Sequence, residues 1–257
     1  MKQLFNRNIL KSGRDFAADK LESAFYEKLF LESAEILAET LAFIPPNIEN
    51  ILEMGARVGT FTKILLSHYP RSSLQVTDMS ENMLFYNKAS NKLCCDEETY
   101  MHFPLDEYNL IASNLNLHWI NNLPEFLFKI RHMLTKKGIF IASLFGENSL
   151  FKTQKLLIEE ESKLTSSCNI RISPFIKANS LAQLLLDIGF KNVVVDLNHF
   201  DIPTCKLLNF SNYLRNIGES NIMQTRYTPI SRNLYEKLCT MTIENDQYTI
   251  LNVIAKV

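Results

Sequence analysis

An α/β fold, a mostly parallel sheet with helices on both faces, is what three features of this sequence predict. Short aliphatic runs alternate with segments of helical period between Ile51 and Phe145, the order expected of strand–helix–strand units. Glycine is scarce, seven in 257 residues, and two of the seven bracket the turn after the first strand, so their positions carry information. With 46% hydrophobic residues, 21% charged residues and a net charge of −1, the chain has material for a sizeable core and none of the bias of a disordered segment.

The elements follow in order. Residues 15–43 carry apolar positions at helical spacing (Phe16, Leu21, Phe25, Leu29, Ile36, Leu37, Leu41), and Pro45-Pro46 stop the run. Ile51–Met54 reads as a short buried strand, followed by Gly55-Ala56-Arg57-Val58-Gly59 and a helix through Ser67. Leu74–Thr77 is a second strand ending at Asp78, and Ser80 caps a helix through Ala89. Strands are expected at Lys92–Cys95 and Tyr108–Ser113, then a helix at Leu123–Leu134, a turn at Lys137-Gly138 and a strand at Ile139–Phe145. Helices at 149–164 and 179–188, the latter closed by Gly189, precede a strand at Asn192–Leu197. Residues 205–240 read as a helical insertion before the last strand, Tyr248–Ile254. No linker or repeat is visible, so one domain is expected, spanning 1–257, with a lid made from 1–45, 146–180 and the 205–240 insertion.

Composition excludes several classes. Balanced charge argues against binding nucleic acid through bulk electrostatics, and apolar runs such as Ile139–Phe145 are far shorter than the roughly 20 residues of a membrane span. The five cysteines, Cys94, Cys95, Cys168, Cys205 and Cys239, are odd in number and scattered. They suit neither a disulfide framework nor a metal cluster, and point to a reducing, cytoplasmic setting. The histidines lack ligand spacing, so no metal is expected. Lys2, Arg7, Lys11 and Arg14 precede the first acid, Asp15. Without serine richness this reads as a basic helix start rather than a presequence.

In an open α/β sheet, ligands sit beyond the carboxyl ends of the strands near the switch point. The first such turn, Glu53-Met54-Gly55-Ala56-Arg57-Val58-Gly59, lacks the G-x-G-x-x-G of a dinucleotide site. Its acid before the first glycine would repel a pyrophosphate and suits an ammonium. S-adenosylmethionine (SAM) carries an ammonium, a sulfonium and no phosphate. Asp78 is placed for the ribose hydroxyls, and Asp96, after the third strand, for the adenine amine.

Glu53–Gly59, Thr77-Asp78-Met79-Ser80, Ser113-Asn114-Leu115-Asn116-Leu117-His118-Trp119 and Leu134-Thr135-Lys136-Lys137-Gly138 resemble class I SAM-dependent methyltransferases. They are similar in particular to the malonyl-acyl-carrier-protein O-methyltransferases of biotin synthesis and to a related group that includes a complex I assembly factor. Phe5-Asn6-Arg7, Arg171–Phe175 and Ile217–Asn221 stand nearer the assembly-factor side. The resemblance spans almost the whole chain. It implies a Rossmann-like, seven-stranded, mostly parallel sheet with an antiparallel last strand, and cofactor binding by Glu53, Gly55, Gly59, Asp78, Met79, Asp96 and Asn114. Arg57 stands where such enzymes usually have a third glycine; its side chain either crowds the methionine end of SAM or turns outward.

The preferred reaction at this stage is methyl transfer to the free carboxylate of malonyl-acyl-carrier protein. A carboxylate is already ionised and needs a cation to orient it rather than a base. Arg171 is the first candidate for that cation, with Arg7 and Arg14 behind it, and His118 and Trp119 would wall the acceptor pocket beside the sulfonium. An acidic carrier protein could meet Lys152, Lys155, Lys163 and Lys177. The alternatives are modification of another protein substrate, belonging to respiratory complex I, and a SAM-fold module without catalysis. Ser113-Asn114-Leu115 is not the Asn/Asp-Pro-Pro-aromatic motif of base-amine methylation.

Overall fold

Strand and helix alternate as the hydrophobic pattern requires in the computed structural model, which describes residues 3–20, 26–100, 102–164, 169–224 and 230–257. Helix α1 (Arg7–Ala18) opens at Asn6, whose side-chain oxygen accepts from the backbone N–H groups of Asn8 and Ile9, donors that the first helical turn cannot satisfy itself. Helix α2 (Tyr26–Glu39) runs into one 3-10 turn, Thr40–Phe43. Then come β1 (Asn50–Met54), α3 (Thr60–His68), β2 (Ser73–Asp78), α4 (Glu81–Tyr86), β3 (Asn91–Cys94), β4 (Tyr108–Asn114), α5 (Leu123–Met133) and β5 (Leu134–Phe145). The C-terminal part adds α6 (Phe151–Leu164), α7 (Ala178–Ile188), β6 (Lys191–Ile202), β7 (Cys205–Lys206), α8 (Leu207–Asn216), α9 (Arg232–Thr240), β8 (Thr242–Ile243) and β9 (Asp246–Lys256).

The main sheet has seven strands in the order β3-β2-β1-β4-β5-β9-β6. β1 to β5 pair in parallel, and β9 runs antiparallel to both β5 and β6. Strand order reverses between β1 and β4, which makes the carboxyl ends of those strands the place for a ligand. One face of the sheet is covered by α5 and α7 through Phe126, Leu127, Ile130, Leu181 and Leu185. The other is covered by α2 and α3 through Leu37, Phe61 and Leu65. A third cluster caps the strand ends, where Ala17 of α1, Phe30 of α2 and Leu207 and Phe210 of α8 meet Phe145 and Tyr248.

Several boundaries depart from the sequence reading. The helix expected at 15–43 is two helices, and its Leu21 and Phe25 lie outside the described residues, as does Cys168. α4 ends at Tyr86, not Ala89, because Asn87 turns extended and its side chain caps Ala89 N–H. The turn expected at Lys137-Gly138 is strand: β5 is continuous from Leu134. β6 reaches Ile202 because its polar second half, Asn198-His199-Phe200-Asp201, still pairs with β9 as an edge strand. The 205–240 insertion opens with β7, which pairs with β8 just beyond its end. The N-terminal lid also divides. α2 belongs to the body, with Leu37 and the turn's Leu41 wholly buried, each contributing roughly 1.5–3 kcal/mol. α1 lies across the strand ends, against α4 and α8.

Candidate active site

The turn after β1 puts backbone where a ligand would sit. Gly55 has a φ of +68°, and a Cβ there would lie 2.2 Å from the Asn116 side chain, so only glycine fits. Arg57 also adopts a positive φ, +50°, at a modest steric cost. Its N–H donates to Asp78 Oδ2 at 3.2 Å.

The predicted cofactor residues gather round this turn. Asp78, fully buried at the end of β2, accepts from Ser80 N–H at 2.8 Å and from the Arg14 guanidinium of α1 at 2.9 Å. Asp96, just past β3, accepts from Arg7 Nε at 3.0 Å. Arg7 and Arg14 lie two turns apart on α1, so one helix face clasps two strand-end acids. Arg14 also donates to Asn116 Oδ1 at 2.5 Å. Glu53 accepts from the Thr62 hydroxyl at 2.6 Å. Burial pushes its carboxyl up to about 8, with Thr62 opposing and Asp78 reinforcing the rise, so it is largely protonated at neutral pH. Asn114, at the end of β4, accepts from the Ser33 and Ser143 hydroxyls and donates to Phe30 O, which ties α2 to the sheet. Met79 packs with Phe5, Leu10, Trp119 and Ile222 under α1. Gly59 begins α3 with a left-handed φ of 92°. The space between Phe30, Glu53, Gly55, Arg57 and Asn114 is only about 10 Å³.

Across the edge a second centre forms around Glu219, in the segment after α8. Its Oε1 accepts from Arg57 at 2.5 Å, and its Oε2 from Trp119 Nε1 at 2.9 Å and His118 Nε2 at 3.0 Å. The Arg57 guanidinium also donates to Ile217 O and lies 4.2 Å from the Phe30 ring centroid. The outward alternative for Arg57 is therefore the observed one, and Gly218 permits it: a Cβ there would come within 3.1 Å of Arg57. Burial works against ionised Glu219, but the His118 hydrogen bond and Arg57 hold its carboxyl below the ordinary range. Burial lowers His118, outweighing Glu219. A neutral imidazole beside a carboxylate must carry its proton on Nε2, and Nδ1 has no hydrogen-bond partner.

Arg171 lines the same small chamber as Trp119 and Glu219, but its guanidinium pairs with Glu161 at 2.6 Å. The structure thus brings Arg171, His118 and Trp119 to one side of the edge and the cofactor candidates to the other. Three of the four lysines named for an acidic partner are compensated: Lys155 meets Glu159, Lys163 meets Glu160 and Lys177 meets Glu147. Sequence reasoning missed Glu219 as a hub, Asn116, and the buried Glu97, which accepts from Gly55 N–H. Arg7 and Arg14, the candidates behind Arg171 for a substrate carboxylate, face the chain's own Asp96 and Asp78. Their helical spacing was the available signal.

Among the described residues no group of His, Cys, Asp and Glu could hold a metal, and no helix is long and apolar enough to cross a membrane. The chemistry of the donor set, carboxylates at successive strand ends with a glycine-turned backbone between them, suits a ligand with an ammonium and hydroxyls and no phosphate. In the present conformation α1 holds two of those acids.

Strand order and site place the molecule in the class I SAM-dependent methyltransferase fold. The solved structure of a SAM-dependent methyltransferase from Archaeoglobus fulgidus matches with a TM-score of 0.52 at 16% identity, covering 90% of this chain and 98% of that one. A family model described as a methyltransferase domain matches residues 25–195, and the chain belongs to that family. It is a SAM-dependent methyltransferase. Among curated relatives, Rickettsia prowazekii RP459, whose name assigns it provisionally to the methyltransferases, is 34% identical over 80% of this chain and 92% of its own. Human mitochondrial arginine-hydroxylase NDUFAF5 is 27% identical over 90% of this chain and 67% of its own. The malonyl-acyl-carrier-protein O-methyltransferase of Halorhodospira halophila is 23% identical over 85% and 74%.

Proposed function

We propose that this methyltransferase acts on a side-chain nitrogen of a protein, the guanidinium of an arginine, the residue type in the name of the arginine-hydroxylase relatives, rather than on a malonyl carboxylate. When bound, SAM supplies an electrophilic methyl group on a sulfonium, and the displacement is in line, so the protein's work is positioning and excluding water. In this reading Asp78 takes the ribose hydroxyls, Asp96 the adenine amine and Glu53 the ammonium. The Gly55–Gly59 backbone and Met79 wall the cofactor, with Asn114 as floor. SAM entry then requires α1 to give up the Arg14–Asp78 and Arg7–Asp96 pairs. His118 Nδ1, bare and backed by Glu219, can accept the proton that a nitrogen loses on methylation, and Glu219 steadies the imidazolium formed.

The observation that carries the acceptor choice is the Glu219 chamber. Its walls include Trp119, Phe145, Phe175 and Tyr248, aromatic faces that favour a flat cation. The cation that a carboxylate acceptor needs, Arg171, is spent on Glu161, which it holds below the ordinary carboxylate range against the opposing effect of burial. The malonyl reading keeps one support: Arg171 does line the chamber. Labelled SAM offered with arginine peptides and with malonyl-carrier protein separates the two. Mass spectrometry should show a methyl increment on arginine. A methyl ester on the malonyl group would overturn the acceptor, and an oxygen increment on arginine would overturn the reaction.

A further inference from the structure

Two residues that line the chamber beside Trp119 carry hydroxyls without a hydrogen-bond partner. Ser173 Oγ and Tyr248 OH are both buried and both unpaired, although each residue lines the chamber. Buried polar atoms are normally satisfied, and leaving one bare costs free energy. Nothing in the packing demands a hydroxyl at either place: alanine and phenylalanine would fill the same positions. Tyr248 stacks on Phe145 at 5.3 Å between centroids, and Phe145 meets Phe175 at 5.4 Å. Burial lifts Tyr248 well above its ordinary range, so it keeps its proton. The chamber is about 50 Å³ and shares Leu150, Arg171, Ile172, Leu214 and Asn221 with a groove of about 350 Å³ between α6, α8 and α9.

We infer that this chamber is the acceptor head-group site, with Ser173 and Tyr248 as its specificity-determining residues. Their hydroxyl oxygens accept hydrogen bonds from the N–H groups of a small planar polar head while the acceptor's stem leaves along the groove. The inference rests on the proposed function for the identity of the head, a guanidinium, but the chamber itself is argued from its two bare hydroxyls.

Ser173→Ala and Tyr248→Phe delete each hydroxyl and keep the shape. N-acetyl-arginine amide and malonyl-pantetheine are titrated calorimetrically into the protein and into each variant. The expected result is a roughly tenfold weaker arginine probe for each variant, unchanged SAM affinity, and a thermal midpoint equal to or above that of the parent, since no internal hydrogen bond is lost. Weakening confined to the malonyl probe would keep the chamber and remove the guanidinium. The inference falls if both probes bind the variants as they bind the parent, if the parent binds neither, or if the variants lose stability alone.

Discussion

At the ends of β2 and β3 the acids that a cofactor would use already have partners: Arg14 holds Asp78 and Arg7 holds Asp96. Beyond β4, β5 and β9 the polar atoms divide differently. Glu219 is saturated by Arg57, His118 and Trp119, while His118 Nδ1, Ser173 Oγ and Tyr248 OH have none. On the cofactor side a ligand must exchange with existing ion pairs, so affinity there is a difference between two bound states. On the acceptor side a ligand supplies bonds the fold leaves unmade. One helix, α1, touches both: its Arg7 and Arg14 hold the acids of the first region, and Arg7 also donates to Trp119 O at 3.1 Å beside the second.

The largest effect expected from breaking this contrast comes from Glu219→Ala. Arg57 would be left as a buried guanidinium without its carboxylate, a loss of about 3–5 kcal/mol, read by urea unfolding. A change below about 1 kcal/mol would mean that the hub does not hold the 217–221 segment in place. Next is Asp78→Ala, which strands Arg14 and removes the ribose acceptor; it should abolish SAM binding while the arginine probe still binds. If both are lost together, the two sides are not separable.

A smaller effect concerns Glu53. Its folded pKa of about 8 lies above the ordinary 4.5, so between those values the folded protein keeps a proton that the unfolded chain has released. Stability from this group is full at low pH and is lost as pH rises through that window. Glu53→Gln lacks the slope, and its thermal midpoint should gain on the parent's from about pH 5 to about pH 8. A constant difference would show that Glu53 is ionised throughout. SAM binding should also release a proton below about pH 8, measured in buffers of different ionisation enthalpy. The smallest change is on the surface: Lys155→Ala removes one exposed pair with Glu159 and should leave turnover within about twofold.

The two sides also differ in how far the sequence revealed them. The cofactor side lies in short contiguous stretches, Glu53–Gly59 and Thr77–Ser80, at strand ends whose periodicity is plain, and the structure gathers those residues as expected. The acceptor side is assembled from Trp119, Arg171, Ser173, Glu219 and Tyr248, which no local period connects. Arg171 lines the chamber and also pairs with Glu161, an ion pair that a charge pattern in the sequence does not reveal. Glu219 was visible only as part of a segment, and its role depends on the close approach that Gly218 allows Arg57. The N-terminal run illustrates the same limit. Its apolar spacing predicted helix, but only packing distinguishes α2, buried against α3, from α1, laid over the acids.

Calorimetric titration of SAM into the parent protein, Arg14→Gln and Asp78→Ala tests the central claim, that α1 competes with the cofactor for the strand-end acids. The account predicts weak binding by the parent, binding about tenfold tighter when Arg14 no longer neutralises Asp78, and none with Asp78→Ala. SAM binding that survives Asp78→Ala, or weakens with Arg14→Gln, would contradict it.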